Sequence, residues 1–343
     1  LFVQYALVAA DEAIAQAGLD AEGSCDRDRV GVYVGSGIGG MKSYTDNVDV
    51  MRARGARRVS PFMIPMMIAN MAAGEIAIRQ KLYGPTLPVV TACATSAHTI
   101  GEAFRAIKHG YADTIVAGGS EGALVPEAVA GFTNAKALTK NPDPETACRP
   151  FDAGRDGFVM GEGAGIVVLE ELEHARARGA KILAEVVGYG NTCDGYHITS
   201  PDPESRGITR AIVEAMEGTG LDASEGLYIN AHGTSTKLND ASETRGFKLA
   251  LGEEAARAAH ISSTKSMTGH MLGATGAVEA IACVGALTEG IIPPTIHYAE
   301  ADPECDLDYT PNQAVSAQVR WALSTNLGFG GHNAALAFKA YED

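Results

Sequence analysis

The stretch that most constrains this chain is Val89–Ala97, VVTACATSA. Val89 and Val90 follow Pro88 and read as the end of a buried strand. From Ala97 the apolar spacing turns helical, with Ile100, Ala103, Phe104 and Ile107 three and four residues apart. Ala92 and Ala94 are small enough for a tight strand-to-helix turn, which puts Cys93 at the handover. Backbone N–H groups at a helix N-terminus point at whatever lies there, and the helix dipole favours negative charge. A thiol so placed is expected to ionise more easily, and the thiolate is the reactive form. A cysteine on an apolar strand is equally an ordinary core residue, so position alone leaves both readings open.

Short apolar segments alternate with helical ones on both sides of this turn. Strands are expected at Arg29–Ser36, Thr114–Gly119, Ala164–Leu169, Lys181–Gly190 and Leu227–Asn230. Helices are expected at Phe2–Ala17 (Tyr5, Val8, Ala9, Ala13 and Ile14 on one face), Glu171–Arg178, Ser205–Glu217 and Gly273–Ala286. This alternation predicts an α/β fold with a largely parallel sheet core. The helical pattern starts at Phe2, so an opening strand is expected upstream. The 343 residues suffice for one large core or two fused halves.

Composition narrows the class. The six cysteines form no CxxC pair, which argues against zinc and a disulfide framework and for a reducing cytoplasm. No apolar run reads as long enough to span a bilayer. The net charge of −15 argues against nucleic acid. The turn holding Gly35, Gly37, Gly39 and Gly40 lacks GxGxxG and GKS/T, so it reads as a loop of close backbone approach before it reads as a nucleotide site. Ser60–Ala77 carries Met63, Met66, Met67 and Met71, a stripe that suits core first and a flexible apolar binding surface second. Arg52, Arg54, Arg57 and Arg58 are either a solvated face or a dock for an acidic partner.

Two histidine stretches occupy the second half. In Asn230–Asp240, NAHGTSTKLND, His232 ends a strand, meets a glycine and has Thr234, Ser235 and Thr236 nearby. In Ser262–Gly276, SSTKSMTGHMLGATG, Lys265 and His270 flank Met267 and Gly269. Ser324–Asn333, STNLGFGGHN, then places three glycines around Phe329. Each histidine alone is more often a structural residue. Two of them at strand-end turns, with a cysteine at a strand-to-helix turn, fit nucleophilic catalysis with two positioned proton handlers or oxyanion donors.

These motifs, TACATSA, NAHGTSTKLND, STKSMTGH and LGFGGHN, resemble the β-ketoacyl-acyl-carrier-protein synthases in order and spacing, as do RPFDAGRDGFVMGEGAG and YHITSP between them. The similarity runs from Phe2 to Phe338, and the His–His pairing with YHITSP points to the synthase II type. The resemblance implies a thiolase-like five-layer αβαβα sandwich of two similar halves, 1–180 and 181–343, in a homodimer. It implies that Cys93 takes the acyl group from acyl carrier protein. His232 and His270 would drive malonyl decarboxylation, with Lys265 fixing the charge and orientation of its neighbours. The backbone N–H groups of Cys93 and Phe329 would form an oxyanion hole, with Phe329 as gate. Ile38 matches a pocket-lining position, and Met63 one contributed across the dimer. Thr234 and Thr236 match positions that hold the pantetheine amide, and His197 and Thr199 fall among the substrate-binding positions. Arg57, Arg58 and Lys136 match the basic patch that meets the acidic carrier protein. No cofactor is implied beyond the phosphopantetheine that the substrates carry. Lys237 stands where the family often has Pro, and Leu327 where it often has Phe. A polyketide-type ketosynthase and a non-catalytic partner subunit are the alternatives of the same fold. A thiolase would want a second cysteine where Phe329 stands.

Overall fold

Two β-sheets, one from each half of the sequence, carry the architecture. The structure is a computed structural model and describes residues 1–21 and 23–342. The first sheet holds β1 (Val30–Gly35), β2 (Thr114–Glu121) and β3 (Gly163–Glu170) in the order β1-β2-β3. The second holds β4 (Ala184–Cys193), β5 (Leu227–Asn230), β6 (His260–Ser262), β7 (Trp321–Gly328) and β8 (His332–Ala340) in the order β4-β8-β7-β5-β6.

Helices fill the remaining layers. Helices α1 (Phe2–Gln16) and α2 (Met71–Gln80) cover the outer face of the first sheet. Helices α3 (Thr95–Lys108) and α6 (Thr275–Glu289) lie between the sheets. Helix α4 (Arg206–Met216), backed by α5 (Lys237–Leu251), covers the outer face of the second. The result is the αβαβα sandwich that the resemblance implies. Three apolar clusters match the layers: Ile100, Ile115, Tyr189 and Leu336 in the centre, Phe2, Val32, Ile76 and Val116 on one side, and Ile212, Ile229, Phe247 and Leu323 on the other. Small residues let the two central helices meet at their N-termini. A Cβ on Gly276 would lie 2.8 Å from the Ala97 nitrogen, and the Ala277 N–H donates to Ser96 Oγ at 2.9 Å. That crossing brings the turn after Cys93 beside the turn after His270.

Several expectations change on folding. The sheets are mixed: β1 and β2, β5 and β6, and β5 and β7 pair parallel, whereas β2 with β3, β7 with β8 and β8 with β4 pair antiparallel. The tight β7–β8 connection around Phe329 forces the antiparallel middle, because a two-strand hairpin can only close that way. Val89 and Val90 are not a strand end. Segment 85–90 runs along β1, tied by a single bridge between Val32 and Thr86, and Val90 is 52% exposed. Pro85 and Pro88 carry no N–H to continue a ladder.

Helix α1 buries Phe2, Ala6, Ala10 and Ile14, while Val8 points outward, so the apolar face is rotated from the one expected. The methionine stripe is largely surface: Met66 is exposed beside Phe62 and Ile64. The segment Leu272–Glu289 is, by length and composition, apolar enough to cross a membrane, contrary to the sequence reading. Here it includes α6, packed between the two sheets.

Candidate active site

Each site residue stands at the end of a regular element. Cys93 lies in the turn Ala92–Ala94 that leads into α3. His232 follows β5, Lys265 follows β6, His270 follows the one-turn helix Lys265–Thr268, and Phe329 follows β7. Two of these turns hold non-glycine residues in the left-handed region, Ala92 (φ +50°) and Leu272 (φ +48°). Such residues cost on the order of 1–3 kcal/mol each and persist where surrounding structure over-determines them. A Ser36, Gly37 and Ile38 turn supplies that surround. Glu121 accepts from Ser36 Oγ, from the Gly37 and Ile38 N–H groups and from Gly273 N–H, at 2.8–3.2 Å, and so ties the two halves together under the cysteine.

The turn around Gly328 and Phe329 packs directly on the Cys93 backbone. A Cβ on Gly328 would lie 2.6 Å from the Thr91 carbonyl oxygen and 3.4 Å from the Cys93 nitrogen, so only glycine fits. The backbone N–H groups of Cys93 and Phe329 both favour the ionised form of the Cys93 thiol. Cys93 shares one apolar cluster with Ile38, Phe132, Phe158 and Met160. Burial among them pushes the thiol up to about 12, outweighing the Lys265 charge and the two N–H groups. The expectation of an easily ionised thiol is therefore corrected: the helix end is present, but desolvation wins.

The two histidines meet edge to face, with ring centroids 5.3 Å apart and planes at 88°. Lys265 Nζ donates to His232 Nδ1 at 3.2 Å and to the His232 carbonyl, and pairs with Glu279. Asn326 Nδ2 donates toward the same His232 Nδ1 at 3.4 Å and to Glu279 at 2.6 Å. Two donors on Nδ1 leave the proton on Nε2, so His232 offers an N–H. Thr275 Oγ1 lies 3.0 Å from His270 Nδ1. The His270 backbone is pinned to the 159–161 segment, its N–H donating to the Val159 carbonyl at 2.7 Å and its carbonyl accepting from the Gly161 N–H at 2.9 Å. The His232 and Gly233 N–H groups both donate to buried Glu243. Burial, and then the Lys265 charge, hold both imidazoles well below their ordinary pKa; His270 adds a smaller depression on His232.

A cavity of about 340 Å³ connects these groups with the surface. Cys93, His232, His270 and Phe329 line its floor, and Thr234, Thr236, Thr199 and Lys136 also line it. Thr234 and Thr236 hydroxyls lie 2.9 Å apart. Ile38 belongs to the same apolar cluster as Cys93. His197 is exposed near the rim, where its Nδ1 accepts from the Thr199 and Ser200 N–H groups. Arg57 and Arg58 project from the turn Ala56–Arg58 outside the cavity, and Met63 heads the exposed helix Met63–Met67, away from Cys93 within one chain. A shallower cleft of about 500 Å³ between Arg176 and Tyr341 lies apart and holds no nucleophile. Sequence reasoning missed Phe132, Phe158, Glu279 and Asn326. Only Glu279 left a signal, a carboxylate inside the otherwise apolar Thr275–Glu289 helix.

Comparison with known proteins agrees with this geometry. Residues 1–175 match the N-terminal domain of β-ketoacyl synthases, and residues 183–299 match their C-terminal domain. The chain is 51% identical over 341 residues to a 3-oxoacyl-[acyl-carrier-protein] synthase 2 of Staphylococcus aureus, covering 99% of this chain and 82% of that protein. It is 53% identical over 342 residues to the protein of the same name from Synechocystis, with the same coverage. Among solved structures, a type II polyketide complex of an acyl-carrier protein with its ketosynthase superposes with a TM-score of 0.95 at 33% identity, over 99% of this chain and 85% of that one. A β-ketoacyl synthase from Burkholderia phymatum gives 0.92 at 37% identity, over 99% and 82%. With both domains matched and the cysteine, histidine pair and gate turn in one cavity, the chain belongs to the β-ketoacyl synthase family, with its thiolase-like fold.

Proposed function

We propose that the chain catalyses the decarboxylative condensation of an acyl group, held as a thioester on Cys93, with malonyl-acyl carrier protein, giving 3-oxoacyl-acyl carrier protein in fatty acid elongation. The observation that carries this is the shared cavity: a cysteine facing two backbone N–H groups, opposite two neutral imidazoles. In the first half-reaction Cys93 Sγ attacks the acyl thioester carbon. The developing oxyanion accepts from the Cys93 and Phe329 N–H groups. Collapse breaks the carbon–sulfur bond to the carrier arm, which leaves as a thiol with the proton that Cys93 gave up.

In the second half-reaction the malonyl thioester oxygen accepts from His232 Nε2–H and from His270. These donors stabilise the enolate formed as the carbon–carboxylate bond breaks and carbon dioxide leaves. The enolate carbon then attacks the Cys93 thioester, and collapse expels the Cys93 thiolate, which regains a proton from solvent. The balance requires no cofactor bound by the chain. Lys265, paired with Glu279, is a positioning residue for His232.

The chain's fit to its partners follows the surface chemistry. Arg54, Arg57 and Arg58 are exposed, and none makes an ion pair among the described residues, which leaves their charge for an acidic carrier protein. Exposed Phe62, Ile64 and Met66, with Leu87 and Val90 on the half-paired 85–90 segment, form an apolar edge suited to a second copy of the chain. In that homodimer Met63 is contributed to the partner's pocket. All six cysteines are unpaired, which fits the cytoplasm. The higher identity to the synthase 2 enzymes, 51–53% against 33–37% for the polyketide and other ketosynthase structures, favours elongation of fatty acids. Incubation with an acyl carrier protein thioester and malonyl carrier protein, followed by mass analysis of the product, tests the reading. One 3-oxoacyl product longer by two carbons supports it, and acyl transfer without lengthening contradicts it.

A further inference from the structure

Lys237 is the first residue of α5 and lines the rim of the same cavity as Cys93. Its position is unusual on local grounds. Proline suits the first turn of a helix, and a cation there opposes the helix dipole. Lys136, on the same cavity, also breaks a local rule. It follows the helix Pro126–Asn134 with φ +57°, its N–H bonding to Thr133 and the Ala137 N–H to Phe132, a turn that favours glycine. Residues that violate local preference without a structural gain tend to mark function.

Neither ammonium is neutralised at the cavity. Lys237 Nζ donates to the Ala153 carbonyl, and neither lysine has a carboxylate within ion-pair distance among the described residues. The carboxylates on the cavity wall are occupied elsewhere. Asp156 accepts from Thr139 Oγ1 at 2.5 Å and from Lys140 N–H at 3.1 Å, and Asp194 from Asn333 at 2.8 Å and Asp202 N–H at 3.1 Å. Asp302 feels the Lys237 charge but is bonded to Arg155 at 2.6 Å. The cavity therefore combines Cys93, the two histidines and Phe329 with threonine hydroxyls and two lysines that have no ion-pair partner among the described residues.

We propose that Lys237, with Lys136, grips the phosphate that joins the pantetheine arm to its carrier. The inference rests on the condensing reading of the cavity, since it assigns the arm's polar end. Phosphate recognition by a lysine is a point-charge contact that needs no fixed fork, which suits an exposed side chain already tethered at Ala153. The same phosphate is presented by carrier protein and by coenzyme A, so both substrates should be read alike.

The test compares kcat/KM for malonyl-4′-phosphopantetheine and malonyl-pantetheine in wild type, Lys237→Met and Lys237→Arg. The ratio isolates the phosphate. Wild type should prefer the phosphorylated thioester by roughly three- to tenfold, the size of one charge-assisted contact. Lys237→Met should bring the ratio close to one, and Lys237→Arg should restore most of it. An unchanged ratio in Lys237→Met, as follows if the side chain only braces Ala153, overturns the proposal, and so does a wild type without preference. Malonyl-coenzyme A and malonyl carrier protein should lose equally in Lys237→Met. A loss confined to the carrier protein would make Lys237 a protein contact and overturn the assignment. A wild type that condenses neither thioester nor carrier substrate contradicts the condensing reading itself.

Discussion

Lys265 donates to His232 Nδ1 while it is ion-paired with Glu279, and both charged side chains are about 1% exposed. The cation sets the histidine's tautomer, and the carboxylate makes the buried cation tolerable. Breaking a buried pair from one side costs about 3–5 kcal/mol because it strands a charge. Glu279→Ala should therefore destabilise the protein by roughly that amount in urea unfolding. Glu279→Gln with Lys265→Met should be the milder change, since no ion remains. A single mutant as stable as wild type would mean the pair is not buried as described.

The neutral imidazoles set a pH dependence. An ordinary histidine titrates near about 6.5. Burial, and then Lys265, move both well below that, so the N–H donors persist as pH falls through the usual range. Carbon dioxide release from malonyl carrier protein should be flat between about pH 6 and 7.5. In the Lys265→Met, Glu279→Gln variant one depressing cause is gone, so the acid limb should shift upward toward 6.5. A wild-type limb already centred near 6.5 would contradict this.

The thiol has the opposite signature. With Cys93 pushed up to about 12, alkylation by iodoacetamide should keep accelerating about tenfold per pH unit beyond pH 9, where an ordinary thiol near 8.5 begins to level. A plateau below pH 8 would show a resting thiolate.

Gly328 allows the gate turn to lie on the nucleophile's backbone. Gly328→Ala puts a Cβ 2.6 Å from the Thr91 carbonyl, and the turn must move away from the Cys93 N–H. Loss of one oxyanion donor costs about 10²–10³ in rate, so Cys93 acylation should slow by at least tenfold with the fold intact by circular dichroism. A wild-type rate would remove Phe329 N–H from the oxyanion hole.

Arg57→Glu with Arg58→Glu should raise KM for carrier-bound thioesters severalfold and leave pantetheine thioesters unaffected, with the difference shrinking at high salt. Equal effects on both substrates would separate this patch from carrier docking.

Part of the site was legible because its chemistry sits at element ends, where local sequence and local structure agree. His232 and Phe329 follow strands beside glycines, and Cys93 stands in the turn that leads into a helix. What stayed hidden is tertiary. Glu279 and Asn326 meet Lys265 and His232 across sheet and helix, and nothing in their local sequence names the partner. Phe132 and Phe158 reach Cys93 and His270 from separate segments. The Val89–Val90 stretch reads as buried because valine signals burial, yet the flanking prolines leave it half-paired on β1. The α1 face was misjudged because alanines fit on either side of a helix. The parallel sheet expected from alternation missed the closing strand β8, whose hairpin with β7 turns the middle of the second sheet antiparallel.

Condensation rests first on Cys93 as acyl acceptor. Intact-protein mass after incubation with a medium-chain acyl carrier protein thioester tests it directly, comparing wild type with Cys93→Ser. Wild type should gain the mass of one acyl group, and the variant should not. An equal gain in both proteins, or none in a folded wild type, would contradict it.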